Sequence, residues 1–127
     1  MSDFRTQAKR VRGLGSAKDG TEHFWRQRLT AMANIPLLLF FVGFIVSLNG
    51  ASHEEVIAAV SHPLTAIALI AVIGSALIHM KLGMQVVIED YIHGEGAKVI
   101  MLFLNAAFAY GVGLITVFAI LKISFGA

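Results

Sequence analysis

Three long stretches of the sequence contain no Asp, Glu, Lys or Arg. They comprise 25, 25 and 23 residues, at 29–53, 56–80 and 99–121. A helix rises about 1.5 Å per residue, so roughly 20 apolar residues cross a hydrocarbon core of about 30 Å. The pattern therefore predicts three transmembrane helices, at about 29–49, 64–89 and 98–122.

The apolar stretches are continuous and lack the alternation of a membrane barrel, and open sheet edges cannot exist in lipid. We therefore predict an all-α integral membrane protein. The composition agrees, because 57% of residues are hydrophobic and 14% are charged. Soluble domains contain about 25% charged residues. The mean hydropathy of +0.75 also suits lipid better than water.

Length and cysteine content limit the chemistry. With most of its 127 residues in the bilayer, the chain has no second folded unit for a catalytic core, which excludes a self-contained soluble enzyme. The chain contains no Cys. This removes thiolate metal sites and iron-sulfur ligation, so any redox cofactor must be held by other ligands.

Basic residues are concentrated before the first apolar stretch. Seven of the ten Lys and Arg residues lie within residues 1–28. The positive-inside tendency predicts a cytoplasmic N-terminus and, after three spans, a C-terminus on the opposite side. We expect a basic cytoplasmic arm at 1–28 and a three-helix transmembrane domain at 29–127. The arm suits anionic lipid or a soluble partner, and it lacks the aromatic interleaving of a nucleic-acid-binding segment.

The connection between the first two spans contains helix-start signals. Ser52 and Glu55 have the spacing of a capping box, which predicts a short helix at about 53–60. Pro63 then suits the first turn of the second span, where amides have no helical partner.

His79 lies inside the second predicted span, where ionisable side chains usually mark function. Ser75 and Gly83 fall one turn on either side of it, on the same face. These small residues leave room either for a flat macrocycle beside the imidazole or for a closely packed neighbouring helix. The residues alone do not decide between these two interpretations.

Two further polar features occur inside the predicted spans. Lys81 lies about 200° around the helix from His79, which suggests snorkelling or a contact with another helix. In the third span, Asn105, Ala109 and Gly113 repeat every four residues. This spacing predicts a packing seam with one interhelical hydrogen bond.

The segment from His79 to Tyr91, HMKLGMQVVIEDY, resembles the small hydrophobic anchor subunit of succinate dehydrogenase. In that family a histidine is followed by a Gly-Met pair and then by Asp-Tyr at this spacing. The segment from Arg28 to Ala31 also matches an Arg-x-Thr-Ala signature before the first span. Three spans and a basic, bacterial-type arm extend the resemblance over essentially the whole chain.

The resemblance implies that His79 is an axial ligand of a haem b shared with a larger cytochrome b anchor subunit. It implies that Tyr91 donates a hydrogen bond to ubiquinone and that Asp90 orients this site or relays protons. Arg28 would match a position near the haem propionates, although Arg26 or Lys81 could serve equally.

The same resemblance implies partners and a location. A flavoprotein subunit and an iron-sulfur subunit would carry the FAD and the iron-sulfur clusters, and electrons from succinate would reach ubiquinone. The chain would lie in the bacterial cytoplasmic membrane with a periplasmic C-terminus and catalyse nothing alone. Two alternatives stay open: the anchor of a quinol-fumarate reductase, and a small proton or cation transporter that uses His79 and Lys81.

Overall fold

A computed structural model of the chain describes residues 18–126. Residues 1–17, which make up most of the predicted basic arm, lie outside the described residues. Within the described range the structure is helical, as predicted, with α1 at Lys18–Ser47, α2 at His53–Ser61, α3 at Pro63–Tyr91 and α4 at Glu95–Ser124.

Helices α1, α3 and α4 are each long and apolar enough to cross a membrane, with spanning segments at Thr21–Ser47, Pro63–Tyr91 and Glu95–Ser124. The three predicted spans are therefore confirmed. Helices α3 and α4 extend past both of their predicted limits, whereas α1 begins earlier than predicted and also ends earlier, at Ser47. The largest extension is at the start of α1, which includes the charged segment immediately before Leu29. Charged side chains limit the part of a helix that can lie in hydrocarbon, but backbone hydrogen bonding continues beyond that limit.

The short helix α2 begins as the sequence predicts. Oγ of Ser52 accepts from the amide of Glu55, and the Glu55 carboxylate accepts from the amide of Ser52 at 2.7 Å. The turn before it contains Gly50 at φ +80°, a left-handed conformation that favours glycine. Pro63 occupies the first turn of α3.

Helix α3 is central, because α1 and α4 both pack against it, whereas the backbones of α1 and α4 are not adjacent to each other anywhere in residues 18–126. The α3–α4 contact contains the predicted seam. Nδ2 of Asn105 donates to the carbonyl of Lys81 at 2.9 Å, and Ala109 is buried. A Cβ added to Gly113 would lie 3.3 Å from Cδ1 of Leu77. The predicted seam and its interhelical hydrogen bond are confirmed.

The described hydrophobic core is small and lies at the α2 end of the molecule. Ala66 and Leu69 of α3 pack with Ile120 of α4, and Phe41 and Phe44 of α1 close the cluster. Most large apolar side chains are instead exposed on the helix surfaces. These surfaces have the chemistry expected for contact with lipid or with other membrane helices.

Candidate functional site

The half-buried side chain of His79 lies on the face of α3 that packs against α1. Its Nδ1 is 3.2 Å from Oγ1 of Thr30. One turn earlier in α3, Oγ of Ser75 donates to the backbone carbonyl of Thr30 at 3.4 Å. Two successive turns of α3 are therefore tied to a single residue of α1.

The surroundings of Thr30 determine which nitrogen of His79 carries a proton. Oγ1 of Thr30 lies 2.8 Å from the carbonyl oxygen of Arg26 and 3.1 Å from that of Gln27. A hydroxyl has one hydrogen to donate, so Thr30 donates within α1 and accepts from His79. Nδ1 of the neutral imidazole then carries the hydrogen, and Nε2 keeps its lone pair.

Nε2 of His79 makes no hydrogen bond to any side chain described at 21–126. An imidazole anchored through Nδ1 with a free Nε2 lone pair is the arrangement of a metal-binding histidine whose second nitrogen is fixed by a neighbour. Within the same range, no three His, Asp or Glu side chains come together as a metal cluster. For a bound metal ion, the described part of this chain therefore offers one ligand atom, Nε2 of His79.

The small residues beside His79 serve the contact between α1 and α3. A Cβ added to Gly83 would lie 3.3 Å from Nε2 of Gln27. At Ser75 the neighbour is the Thr30 carbonyl. Ser75 and Gly83 therefore fit the interpretation that small residues allow close packing of a neighbouring helix. The feature that fits a bound group is the free Nε2 of His79.

Asp90 and Tyr91 are the last two residues of α3, about 16 Å of helix rise beyond His79. Both side chains are exposed, Tyr91 to 75%, and neither forms a hydrogen bond within the described part of the chain. Nearby, Nζ of Lys98 donates to the carbonyl of Glu89 at 2.9 Å. The end of α3 thus has a fixed backbone and presents a free carboxylate and a free phenol.

Arg28 is exposed, and its guanidinium lies over the ring of Phe24, 5.0 Å from the ring centroid. The structure does not bring Arg28 into contact with His79. Arg26 instead forms an ion pair with Glu22. Among the side chains described at 21–126, none accepts a hydrogen bond from the exposed guanidinium of Arg28, which suits it to an anionic group outside this chain.

Lys81 makes the interhelical contact that its position suggested. Its Nζ lies 3.1 Å from the hydroxyl of Tyr110 in α4 and 4.9 Å from the centroid of that ring. The sequence pattern indicated neither Tyr110 as the partner of Lys81 nor Thr30 as the partner of His79. The Arg-x-Thr-Ala signature includes Thr30, and this was the available signal for it.

Comparison with known proteins agrees with this architecture. A family model described as succinate dehydrogenase/fumarate reductase transmembrane subunit matches residues 2–119. The chain belongs to this family. The match includes all three candidate spans almost completely, and it identifies the chain as a multi-pass membrane anchor subunit.

Individual relatives in the family carry consistent names. A protein named succinate dehydrogenase hydrophobic membrane anchor subunit, from Paracoccus denitrificans, is 31% identical over 126 residues, or 98% of this chain and 95% of the relative. A protein of the same name from Rickettsia bellii is 36% identical over 90 residues, covering 71% and 72%. A succinate dehydrogenase membrane anchor subunit from Reclinomonas americana is 29% identical over 90 residues, covering 68% and 75%.

Proposed function

We propose that this chain anchors a succinate dehydrogenase to the bacterial cytoplasmic membrane and contributes to its haem b and ubiquinone sites. A larger cytochrome b anchor subunit would pack beside it, and the flavoprotein and iron-sulfur subunits would dock at the cytoplasmic end. FAD and the iron-sulfur clusters would belong to those soluble partners. The names of the relatives support succinate oxidation over fumarate reduction.

The hydrogen bond between His79 and Thr30 carries the haem part of the proposal. It leaves Nε2 of His79 unprotonated, which an axial iron ligand requires. The exposed guanidinium of Arg28 would pair with haem propionates, for which its planar set of donors is suited. When bound, haem b would supply a one-electron carrier within the membrane, held by His79 from this chain and by a residue of the larger anchor subunit.

Asp90 and Tyr91 support a ubiquinone site at the cytoplasmic end of α3. Reduction of a quinone adds two electrons and two protons, and negative charge develops on its oxygens before protonation. The free phenol of Tyr91 would donate a hydrogen bond to one carbonyl oxygen. The carboxylate of Asp90, next in sequence, would orient this donor or relay protons from water.

The positions of these groups fit the proposed topology. A cytoplasmic start of α1 places the end of α3 on the same side, because α1 and α3 run in opposite directions across the membrane. Tyr91 would then face the cytoplasmic partners that deliver electrons. The C-terminus, after α4, would lie in the periplasm.

Substitution of His79 in the assembled complex tests the haem proposal. We expect His79→Ala to lose or shift the reduced b-type absorption bands of the purified complex. His62→Ala, which removes a histidine from the α2–α3 junction at the other end of α3, serves as a matched control and should keep the wild-type spectrum. A wild-type spectrum in His79→Ala would refute axial ligation by this residue.

A further inference from the structure

A groove crosses one face of the molecule, over α3 and between α1 and α4. It contains a half-open cavity of about 460 Å³ whose walls are mostly aliphatic and include Leu29 and Ile78. Its polar lining includes Arg26, Lys81 and Tyr110. His79 itself does not line this cavity, but its partner Thr30 does, so the groove lies beside the proposed haem ligand and does not include it.

A second cavity of about 280 Å³ adjoins the first one and shares Arg26 and Lys81 with it. Its remaining polar lining is Glu22, His23 and Gln85. These residues lie closer to the start of α1 and the end of α3 than the aliphatic walls do. The groove is therefore polar toward the proposed cytoplasmic side and apolar toward the membrane centre, with two cations at the boundary.

The charges in the groove do not balance. Arg26 is paired with Glu22, whereas Nζ of Lys81 has the neutral phenol of Tyr110 as its polar partner and no ion pair with a carboxylate among the side chains described at 21–126. An ammonium inside a membrane span is costly unless an anion or water reaches it. The groove thus provides an uncompensated positive charge above an apolar slot.

From this arrangement we propose that the groove binds an anionic phospholipid of the cytoplasmic leaflet. Its phosphate would lie between Arg26 and Lys81, and one acyl chain would occupy the slot beside Leu29 and Ile78. Basic pockets between helices on the cytoplasmic side of a membrane attract anionic headgroups. The order of polar, cationic and aliphatic surfaces along the groove matches the order of groups in such a lipid.

Native mass spectrometry of the whole complex, purified from membranes that contain phosphatidylglycerol, tests this site. We expect Lys81→Met and Arg26→Gln each to weaken phosphatidylglycerol retention about fivefold, since each removes one cation near the headgroup. Lys122→Gln, which removes a cation from the opposite end of α4, should retain the wild-type amount. Equal retention in all three variants would overturn the proposal.

A second measurement uses the unsubstituted complex and so does not depend on how the variants fold. After delipidation, phosphatidylglycerol should raise the thermal midpoint of the complex, and phosphatidylcholine with the same acyl chains should not. A photoreactive side chain at position 78 should then crosslink to phosphatidylglycerol. Equal stabilisation by both lipids, or crosslinking to a partner subunit or to quinone instead, would contradict the proposal.

Discussion

A single hydroxyl, that of Thr30, determines which nitrogen of His79 is free. Its proton is committed to the carbonyls of α1, so it accepts from Nδ1 and leaves Nε2 available. His79 could be selected from sequence because an ionisable residue stands out in an apolar run. Thr30 could not be selected as its partner, because pairing between helices depends on their crossing and register.

Thr30→Val should raise the reduction potential of the haem. The substitution keeps the side-chain shape but removes the acceptor for Nδ1, which makes the imidazole a weaker donor to ferric iron. It also leaves a polar group unpaired, at a cost of about 1–3 kcal/mol. A redox titration of the haem absorption in the purified complex measures the effect. Thr30→Ser should restore the wild-type potential, and an unchanged potential in Thr30→Val would exclude the positioning role.

Tyr91→Phe should lower quinone reductase turnover by roughly 100-fold, because the variant lacks the donor to the developing oxygen charge. Succinate oxidation with a dye acceptor, which bypasses the membrane subunits, should stay at the wild-type rate. Tyr110→Phe removes the other tyrosine hydroxyl of the chain and is the matched control. Parallel losses in both assays, or none in either, would count against Tyr91 as a quinone ligand.

At the scale of elements, short sequence motifs predicted a helix contact and a helix start. The four-residue spacing of Asn105, Ala109 and Gly113 predicted the α3–α4 seam, and the capping box predicted the start of α2. The start of α1 at Lys18 was not predicted, because an apolar run marks the lipid-embedded part of a helix and not its hydrogen-bonded length. The groove over α3 also required the structure, since it depends on α1 and α4 being apart.

The capping box gives α2 a defined pH dependence. Amide and hydroxyl donors of Ser52 hold the pKa of Glu55 below its usual value. A lowered carboxyl pKa contributes stability above the unfolded pKa and loses it as pH falls through the folded pKa. Hydrogen exchange of the α2 amides in the complex should therefore show constant protection from about pH 7 to pH 5 and a loss below about pH 4.

Ser52→Ala removes the capping hydroxyl and should destabilise α2 locally by about 1 kcal/mol, which hydrogen exchange would register at neutral pH. His53→Ala, at the neighbouring position, keeps the capping box intact and is the control. Equal protection in the two variants would show that the cap does not stabilise α2.

At the scale of the whole molecule, residues 18–126 form a layer of three long helices whose apolar surfaces are mostly uncovered. Its composition and charge-free runs predicted this membrane architecture, because hydrocarbon thickness and charge exclusion act on the sequence directly. The partners could be inferred only through the family motif. No property of a single chain specifies which proteins cover its remaining surfaces.

The proposed topology rests on the distribution of basic residues and can be tested in cells. Since the chain contains no Cys, single cysteine variants label without background from this subunit. Asn49→Cys, in the α1–α2 connection, should react with a membrane-impermeant maleimide in intact cells lacking an outer-membrane barrier. His93→Cys, in the α3–α4 connection, should react only in inverted vesicles. The reverse pattern would place the N-terminus in the periplasm.

Replacement of His79 by another iron ligand tests the central claim most directly. In the purified complex, His79→Met should change the electron paramagnetic resonance signal of the haem, because the variant lacks the imidazole that would bind the iron. When the thioether of the introduced methionine binds the iron, the reduction potential of the haem should rise. A wild-type resonance signal and an unchanged potential in this variant would contradict the assignment of His79 as the haem ligand.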